Sequence, residues 1–177
     1  MKPIRAFISI DLPANIQKEI EKIQKKLPAF EGKITEPENL HLTLKFLGDV
    51  DEKILIEIKR RLKEIKIKKF ETRISDIGIF SSNYIKIIWV KMENCHGLQK
   101  IIDEKLSGIF EKEERFMGHV TIARVKYIKN KNYFLGELKK IQIPESLKFQ
   151  VKSFELRKSE LMPEGPIYEI LEEYNLV

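Results

Sequence analysis

His41-Leu42-Thr43-Leu44 occurs once more in the chain, as His119-Val120-Thr121-Ile122, seventy-eight positions later. Each copy sits in an apolar, β-branched run with no interior Gly or Pro, 40–47 and 120–125, and such runs read as strands. Side chains alternate along a strand. His41 and Thr43 therefore share one face, and Leu42, Leu44 and Phe46 take the other. His119 and Thr121 share a face opposite Val120 and Ile122. Each strand thus turns an apolar face to a core and a His-Thr face to something polar. Two of the three histidines in the chain lie in this repeated setting.

Outward from the first copy, 4–10 reads as a short buried strand. Pro13 suits a first helical position, and Ile16, Ile20, Ile23 and Leu27 recur at helical spacing until Pro28 ends the run. The segment 31–39 reads as a polar connection. Asp51 is placed to cap a second helix with Ile54, Leu55, Ile58, Leu62 and Ile65 on one face. Two strands, 70–80 and 84–92, follow across the polar Ser81-Ser82-Asn83, with a bulge expected around Asp76 and Gly78. Asn94 reads as the cap of a third helix, with Cys95 and His96 as surface residues at its start. After the second copy come a basic stretch, 126–131, a short helix, 132–140, and strands at 147–156 and 167–174. No low-complexity linker divides residues 1–177, which read as a single domain. The order of elements suggests an internal duplication, two lobes that each give one His-Thr strand to a shared cleft.

Composition narrows the classes. The hydrophobic share is 42%, enough for a packed interior. The Lys-, Glu- and Ile-rich balance resembles that of thermophile proteins. A net charge of +6 suits a polyanionic partner such as RNA, and equally a solvated surface with a modest Lys excess. One cysteine, Cys95, leaves no internal disulfide and no Cys-rich metal site. There is no signal-peptide pattern and no apolar run of the roughly 20 residues a membrane span needs. The expectation is a soluble, cytoplasmic protein without a membrane partner.

Two imidazoles facing each other supply a general base and a general acid near neutral pH. Their threonine companions supply hydroxyl donors for anionic oxygens. Hydrolysis of a phosphodiester needs this set. Arg124, at an odd offset from His119, falls on the opposite face of an ideal strand and reaches a phosphate only if the strand ends or twists there. The basic residues Lys45, Lys126, Lys129 and Lys131 suit a phosphate-backbone path or, equally, solvated strand ends. No carboxylate or thiolate accompanies the histidines, so a metal site lacks its ligand set.

At these residues the chain resembles the 2H phosphoesterase superfamily, and within it the RNA 2′,3′-cyclic phosphodiesterases, also called 2′-5′ RNA ligases. The likeness extends to 5–13, 39–48, 119–124 and 159–168. It implies an α+β, bilobal, pseudo-two-fold fold with antiparallel sheets lining a central cleft and helices outside. It implies hydrolysis of 2′,3′-cyclic phosphate RNA ends to 2′-phosphomonoesters without metal or cofactor, with reversible 2′-5′ ligation as an associated activity. His41 and His119 carry over as the acid-base pair, Thr43 and Thr121 as phosphate donors. Phe7 matches an aromatic that stacks on the terminal base, though it equally suits the core of the first strand. Arg124 matches an arginine following the second motif. Of the histidines, His119 is read as the base and His41 as the acid. The expected substrates are RNAs with cyclic phosphate ends, tRNA halves among them, acted on by a monomer. Competing readings are another 2H activity, such as RNA 3′-end trimming or 2′-5′ oligonucleotide cleavage, and a non-catalytic RNA-binding module. Where many relatives have Pro before the second histidine this chain has Gly118, which suggests a freer approach to that strand.

Overall fold

A computed structural model describes residues 2–177. Among them nine strands form one antiparallel sheet: β1 (Ile4–Asp11), β2 (Glu31–Ile34), β3 (His41–Val50), β4 (Phe70–Ile79), β5 (Ile87–Met92), β6 (His119–Tyr127), β7 (Lys148–Val151), β8 (Ser153–Met162) and β9 (Gly165–Asn175). The helices are α1 (Ala14–Gln24), α2 (Glu52–Lys63), α3 (His96–Lys105) and α4 (Lys131–Leu138). The sheet runs β9-β8-β1-β3 and then β6-β5-β4-β7, with β2 added beside β6. The two His-Thr strands are its central neighbours. They pair at Leu42 and Val120 alone, and beyond that bridge the two halves diverge around a cleft.

The expected pseudo-two-fold arrangement is present. One repeat is β1-α1-β3-α2-β4 and the other β5-α3-β6-α4-β8. The last strand of each crosses over to pair with the first strand of the other: β4 lies on β5 and β8 on β1. Neither repeat completes its own half of the sheet. The apolar faces of α1 (Ile16, Ile20, Ile23), α2 (Leu55, Ile58, Leu62) and α3 (Leu98, Ile102) are buried with Leu42, Leu44, Val120 and Ile122 in a single core.

Several local expectations change. The run 147–156 is two strands parted at Lys152, β7 pairing with β4 and β8 with β1 in opposite halves. Alternating hydrophobicity reports which side chains are buried, not which neighbour the backbone pairs with. The polar connection contains β2, whose four residues are all exposed. Main-chain pairing with β6 holds it, so no apolar alternation announces it. Pro13 and Cys95 stand at the N-cap positions of α1 and α3 rather than inside them. Asn94 adopts a left-handed backbone, φ 61°, and its side chain donates to the Glu71 carbonyl instead of capping α3. Cys95 is buried, not on the surface, and burial pushes its thiol up to about 11. Asp51 caps α2 as expected, accepting from the Ile54 N–H at 2.8 Å.

Gly118 is required for space rather than freedom. A β-carbon there would lie 2.3 Å from the Met92 carbonyl oxygen. The close approach is the bond from the Met92 N–H to the Gly118 carbonyl, 2.9 Å, that aligns the start of β6 with β5. Gly118→Ala is expected to lower stability by about 1–3 kcal/mol, the usual range for overpacking, read as a drop in denaturation midpoint.

Candidate active site

Both motif strands carry a bulge, and the bulges build the cleft. In β3, Lys45 stands opposite Ile8 and Thr43 opposite Ser9, so Leu44 is left without a partner. In β6, Ala123 stands opposite Ile88 and Thr121 opposite Trp89, so Ile122 is left over. An extra residue shifts the alternation by one. Leu44 and Lys45 are both buried, as are Ile122 and Ala123. The residue after each pair therefore turns back toward the His-Thr face. At the second copy this is Arg124, brought into the cleft that an ideal strand would deny it. At the first it is Phe46, expected in the core but 78% exposed.

Lys45 is likewise corrected. It is 8% exposed and lies on no open path for RNA. Its ammonium pairs with the buried Asp103 of α3 and donates to the Glu111 carbonyl at 2.7 Å. Asp103 also accepts from Gln99 Nε2 at 2.7 Å and from the Glu113 N–H at 2.9 Å. At the other bulge, the Ile122 carbonyl accepts from Gln24 Nε2 of α1 at 2.9 Å and from the Thr35 N–H at 3.0 Å. Each bulge is thus fastened by a helix from the opposite repeat.

The two imidazoles are held alike. His41 Nδ1 lies 2.8 Å from the Asn39 carbonyl and His119 Nδ1 lies 2.8 Å from the Met117 carbonyl. A carbonyl only accepts, so each Nδ1 carries a proton and each neutral ring keeps its Nε2 lone pair free. The surroundings differ. Phe7 and Tyr168 each approach the His41 ring at 5.1 Å between centroids. Burial, opposed by the Asn39 bond and reinforced by the charges of Arg157, Arg124 and His119, lowers the His41 pKa to about 4. His119 has Phe80 edge-on at 5.0 Å.

The expected catalytic, phosphate-holding and base-stacking residues all line one cleft of about 710 Å³: His41, Thr43, His119, Thr121, Phe7 and Arg124. Its size suits a nucleotide. Phe7 is buried and packs against Tyr168 as well as His41, so its core position and its place in the cleft wall coincide. Phe46, Phe80 and Tyr168 also line the cleft and were not anticipated. Phe46 has a signal in the repeat, since it stands five residues after His41 as Arg124 does after His119. Tyr168 closes the last family-like segment. Phe80 has no signal of its own. Burial raises the Tyr168 pKa, which keeps its hydroxyl a donor. Among the described residues no group of three or more His, Cys, Asp or Glu is arranged to hold a metal ion. No helix there is long and apolar enough to cross a membrane.

Comparisons with known proteins agree with this architecture. The chain is 41% identical over 175 residues to the RNA 2′,3′-cyclic phosphodiesterase of Methanocaldococcus jannaschii, covering 97% of this chain and 100% of that one. It is 34% identical over 179 residues to the protein of that name from Thermotoga maritima, covering 96% and 94%. Among solved structures, TT0787 of Thermus thermophilus superposes with a TM-score of 0.82 at 25% identity over 97% of each chain. Escherichia coli LigT complexed with 3′-AMP shares the fold, with a TM-score of 0.80 at 24% identity over 99% of each chain. Residues 10–89 and 91–168 match the family described as LigT like Phosphoesterase. Both bulged His-x-Thr strands lie within the matched ranges, and the chain belongs to the LigT-like phosphoesterase family.

Proposed function

We propose that this protein hydrolyses 2′,3′-cyclic phosphate ends of RNA to 2′-phosphomonoesters, with His41 and His119 as the acid-base pair. The observation that carries the reading is the matched presentation of two free Nε2 atoms, each beside a threonine of its own strand, in one cleft. The relatives named for this activity align over nearly the whole chain. Thr43 and Thr121 hold the non-bridging oxygens, and Arg124 adds a fixed positive charge. Phe7, with Phe46 and Tyr168 around it, offers the terminal base an aromatic wall. The chemistry needs proton transfer and charge stabilisation, both supplied by these side chains, so no metal or cofactor is invoked. We place the protein in the cytoplasm as a monomer, with tRNA halves among its RNAs. Joining through a 2′-5′ linkage is the same displacement with an RNA 5′-hydroxyl in place of water: its oxygen bonds the phosphorus, the bond to the 3′ oxygen breaks, and that oxygen takes the proton from the acid.

The test is product analysis. RNA ended by a 2′,3′-cyclic phosphate should yield a 2′-phosphate, with activity unchanged by chelators. A 3′-phosphate product, or activity lost to EDTA and restored by zinc, overturns the reading. Trimming of linear 3′ ends would favour the other 2H activity, and RNA bound without turnover would favour a binding module. Thr43→Ala and Thr121→Ala should each lower kcat by about 10²–10³, the usual cost of a lost oxyanion donor, with little change in stability.

His41 supplies a pH prediction. With its pKa near 4, it is neutral in the free protein at pH 7. It serves as the acid only once the bound phosphate recharges it. NMR titration should find the His41 pKa near 4 in the free protein and several units higher with 2′-AMP bound. A value that stays near 4 in the complex exchanges the two roles, making His41 the base. The depressed pKa also bears on stability. The unfolded chain takes up the proton near pH 6.5 and the folded one only near 4. Stability from this group is therefore complete above 6.5 and lost as the pH falls toward 4.

A further inference from the structure

Beyond the cleft, the open end of the β5–β6 pair carries cations with no carboxylate to answer them. Residues 77–92 and 120–136 contain Lys86, Lys91, Arg124, Lys126, Lys129 and Lys131, and not one Asp or Glu. The two segments lie side by side, because Ile87 pairs with Arg124 and the Val125 N–H donates to the Lys86 carbonyl at 2.8 Å. The first turn of α4 joins them through Lys131, whose Nζ lies 3.4 Å from the Asn83 carbonyl. Lys86, Lys126, Lys129 and Lys131 are exposed. Among the described residues none of these four is ion-paired. Lysines elsewhere on the surface, such as Lys63 with Glu172 and Lys105 with Glu64, are. The carboxylate that strand register brings nearest is Glu31, opposite Tyr127.

Exposed aromatic rings accompany these cations on the same segments. Tyr84, Tyr127 and Tyr133 are 69%, 55% and 63% exposed, and Lys86 Nζ lies 4.5 Å above the Tyr84 ring. Exposed rings beside unpaired lysines are what a single-stranded nucleic acid binds, bases stacking while phosphates meet cations. The surface is continuous with the cleft. Arg124 and Phe80 line the cleft, and Lys126 follows Arg124 on the same face of β6, with the buried Val125 between them.

We infer that the end of the β5–β6 pair and the start of α4 form a docking track for single-stranded RNA, which takes the nucleotides 5′ of the cyclic phosphate. The inference rests on the proposed function and adds where the rest of the substrate lies. The terminal nucleotide occupies the cleft, and the chain leaves past His119 and Arg124 rather than past the aromatic wall around His41. Nucleotides two to about five from the end meet the lysines. RNA should therefore be a better substrate than a cyclic mononucleotide, through a lower KM.

The test compares wild type with K126Q/K129Q/K131Q on 2′,3′-cyclic AMP and on a ten-nucleotide RNA with a cyclic phosphate end. The triple variant should raise KM for the RNA at least tenfold while its constants for cyclic AMP stay within about twofold. For single strands the salt slope is about 0.7 per neutralised phosphate, so log(kcat/KM) against log salt should flatten by about 2. Equal effects on both substrates, or none on either, overturn the track. If wild type turns over neither substrate, the proposed function fails, and the track is judged by fluorescence anisotropy of the same RNA. There a tenfold weaker Kd in the variant supports it and an unchanged Kd ends it.

Discussion

Replacing either His41 or His119 by alanine should lower cyclic-phosphate hydrolysis by ~10²–10⁴-fold, the range for loss of a positioned general acid or base. The two sites are equivalent in their support. Each imidazole donates Nδ1–H to the carbonyl two residues before it, so alanine at either removes a proton carrier whose free nitrogen faces the cleft. The double variant should fall well short of the product of the single effects, because an acid without its base has little left to contribute. The two single variants should separate in their pH profiles. The wild-type profile should be bell-shaped, and each variant should lose one limb. Stability should change little, since both rings lie in the cleft wall rather than in the core. A His41→Ala or His119→Ala enzyme with normal turnover would remove that histidine from the chemistry.

The sequence disclosed the site through repetition rather than through any one residue. A single His-x-Thr is an unremarkable polar strand face, and two in the same phase require a common purpose. The same reasoning carried the duplication into two lobes, because the order of strands and helices repeats around each copy, and the family resemblance added the pseudo-two-fold arrangement. Residues beyond the threonines were hidden for one physical reason. Alternation holds only while the register is unbroken, and each motif strand gains an extra residue directly after its threonine. Reading on at period two put Phe46 in the core, Lys45 on a phosphate path or in solvent, and Arg124 behind the sheet unless the strand twists there; the bulges bury Lys45 and turn Phe46 and Arg124 to the cleft. A signal was available in Leu44-Lys45-Phe46 against Ile122-Ala123-Arg124. Only the second triplet breaks the alternation of apolar and polar residues; the first keeps it and gives no warning of its bulge. β2 and the division of β7 from β8 were illegible for another reason. Both depend on which backbone pairs with which, information that resides in the partner strands and not in the segments themselves.

Lys45→Ala should be among the most destabilising single substitutions in the chain. Its ammonium and the Asp103 carboxylate are both almost wholly out of water, 8% and 4% exposed as residues. Burial pushes the Asp103 carboxyl up, but hydrogen bonds from Lys45, the Glu113 N–H and Gln99 outweigh it and hold the group below its usual range. Removing the lysine leaves that carboxylate buried without its counter-charge, a loss of about 3–5 kcal/mol. Replacing the pair together tells a structural brace from a device of the site. Lys45→Met with Asp103→Leu removes both charges and keeps most of the volume, so stability should rise well above that of Lys45→Ala, short of wild type because the Glu111 carbonyl, the Glu113 N–H and the Gln99 amide lose their partners. Activity should not return with it. The ion pair ties the bulge of β3 to α3, and the bulge turns Phe46 toward the cleft and sets Thr43 opposite Ser9. Methionine has no directed bond to hold Lys45's position in that step of the strand, and the cost should fall on KM and kcat together although most of the stability is regained. Chemical denaturation of the two variants, set beside their kinetics on 2′,3′-cyclic AMP, reads both effects. A double variant recovered in both would make the pair a plain structural brace. A single variant of ordinary stability would mean that Asp103 finds another partner when Lys45 is gone.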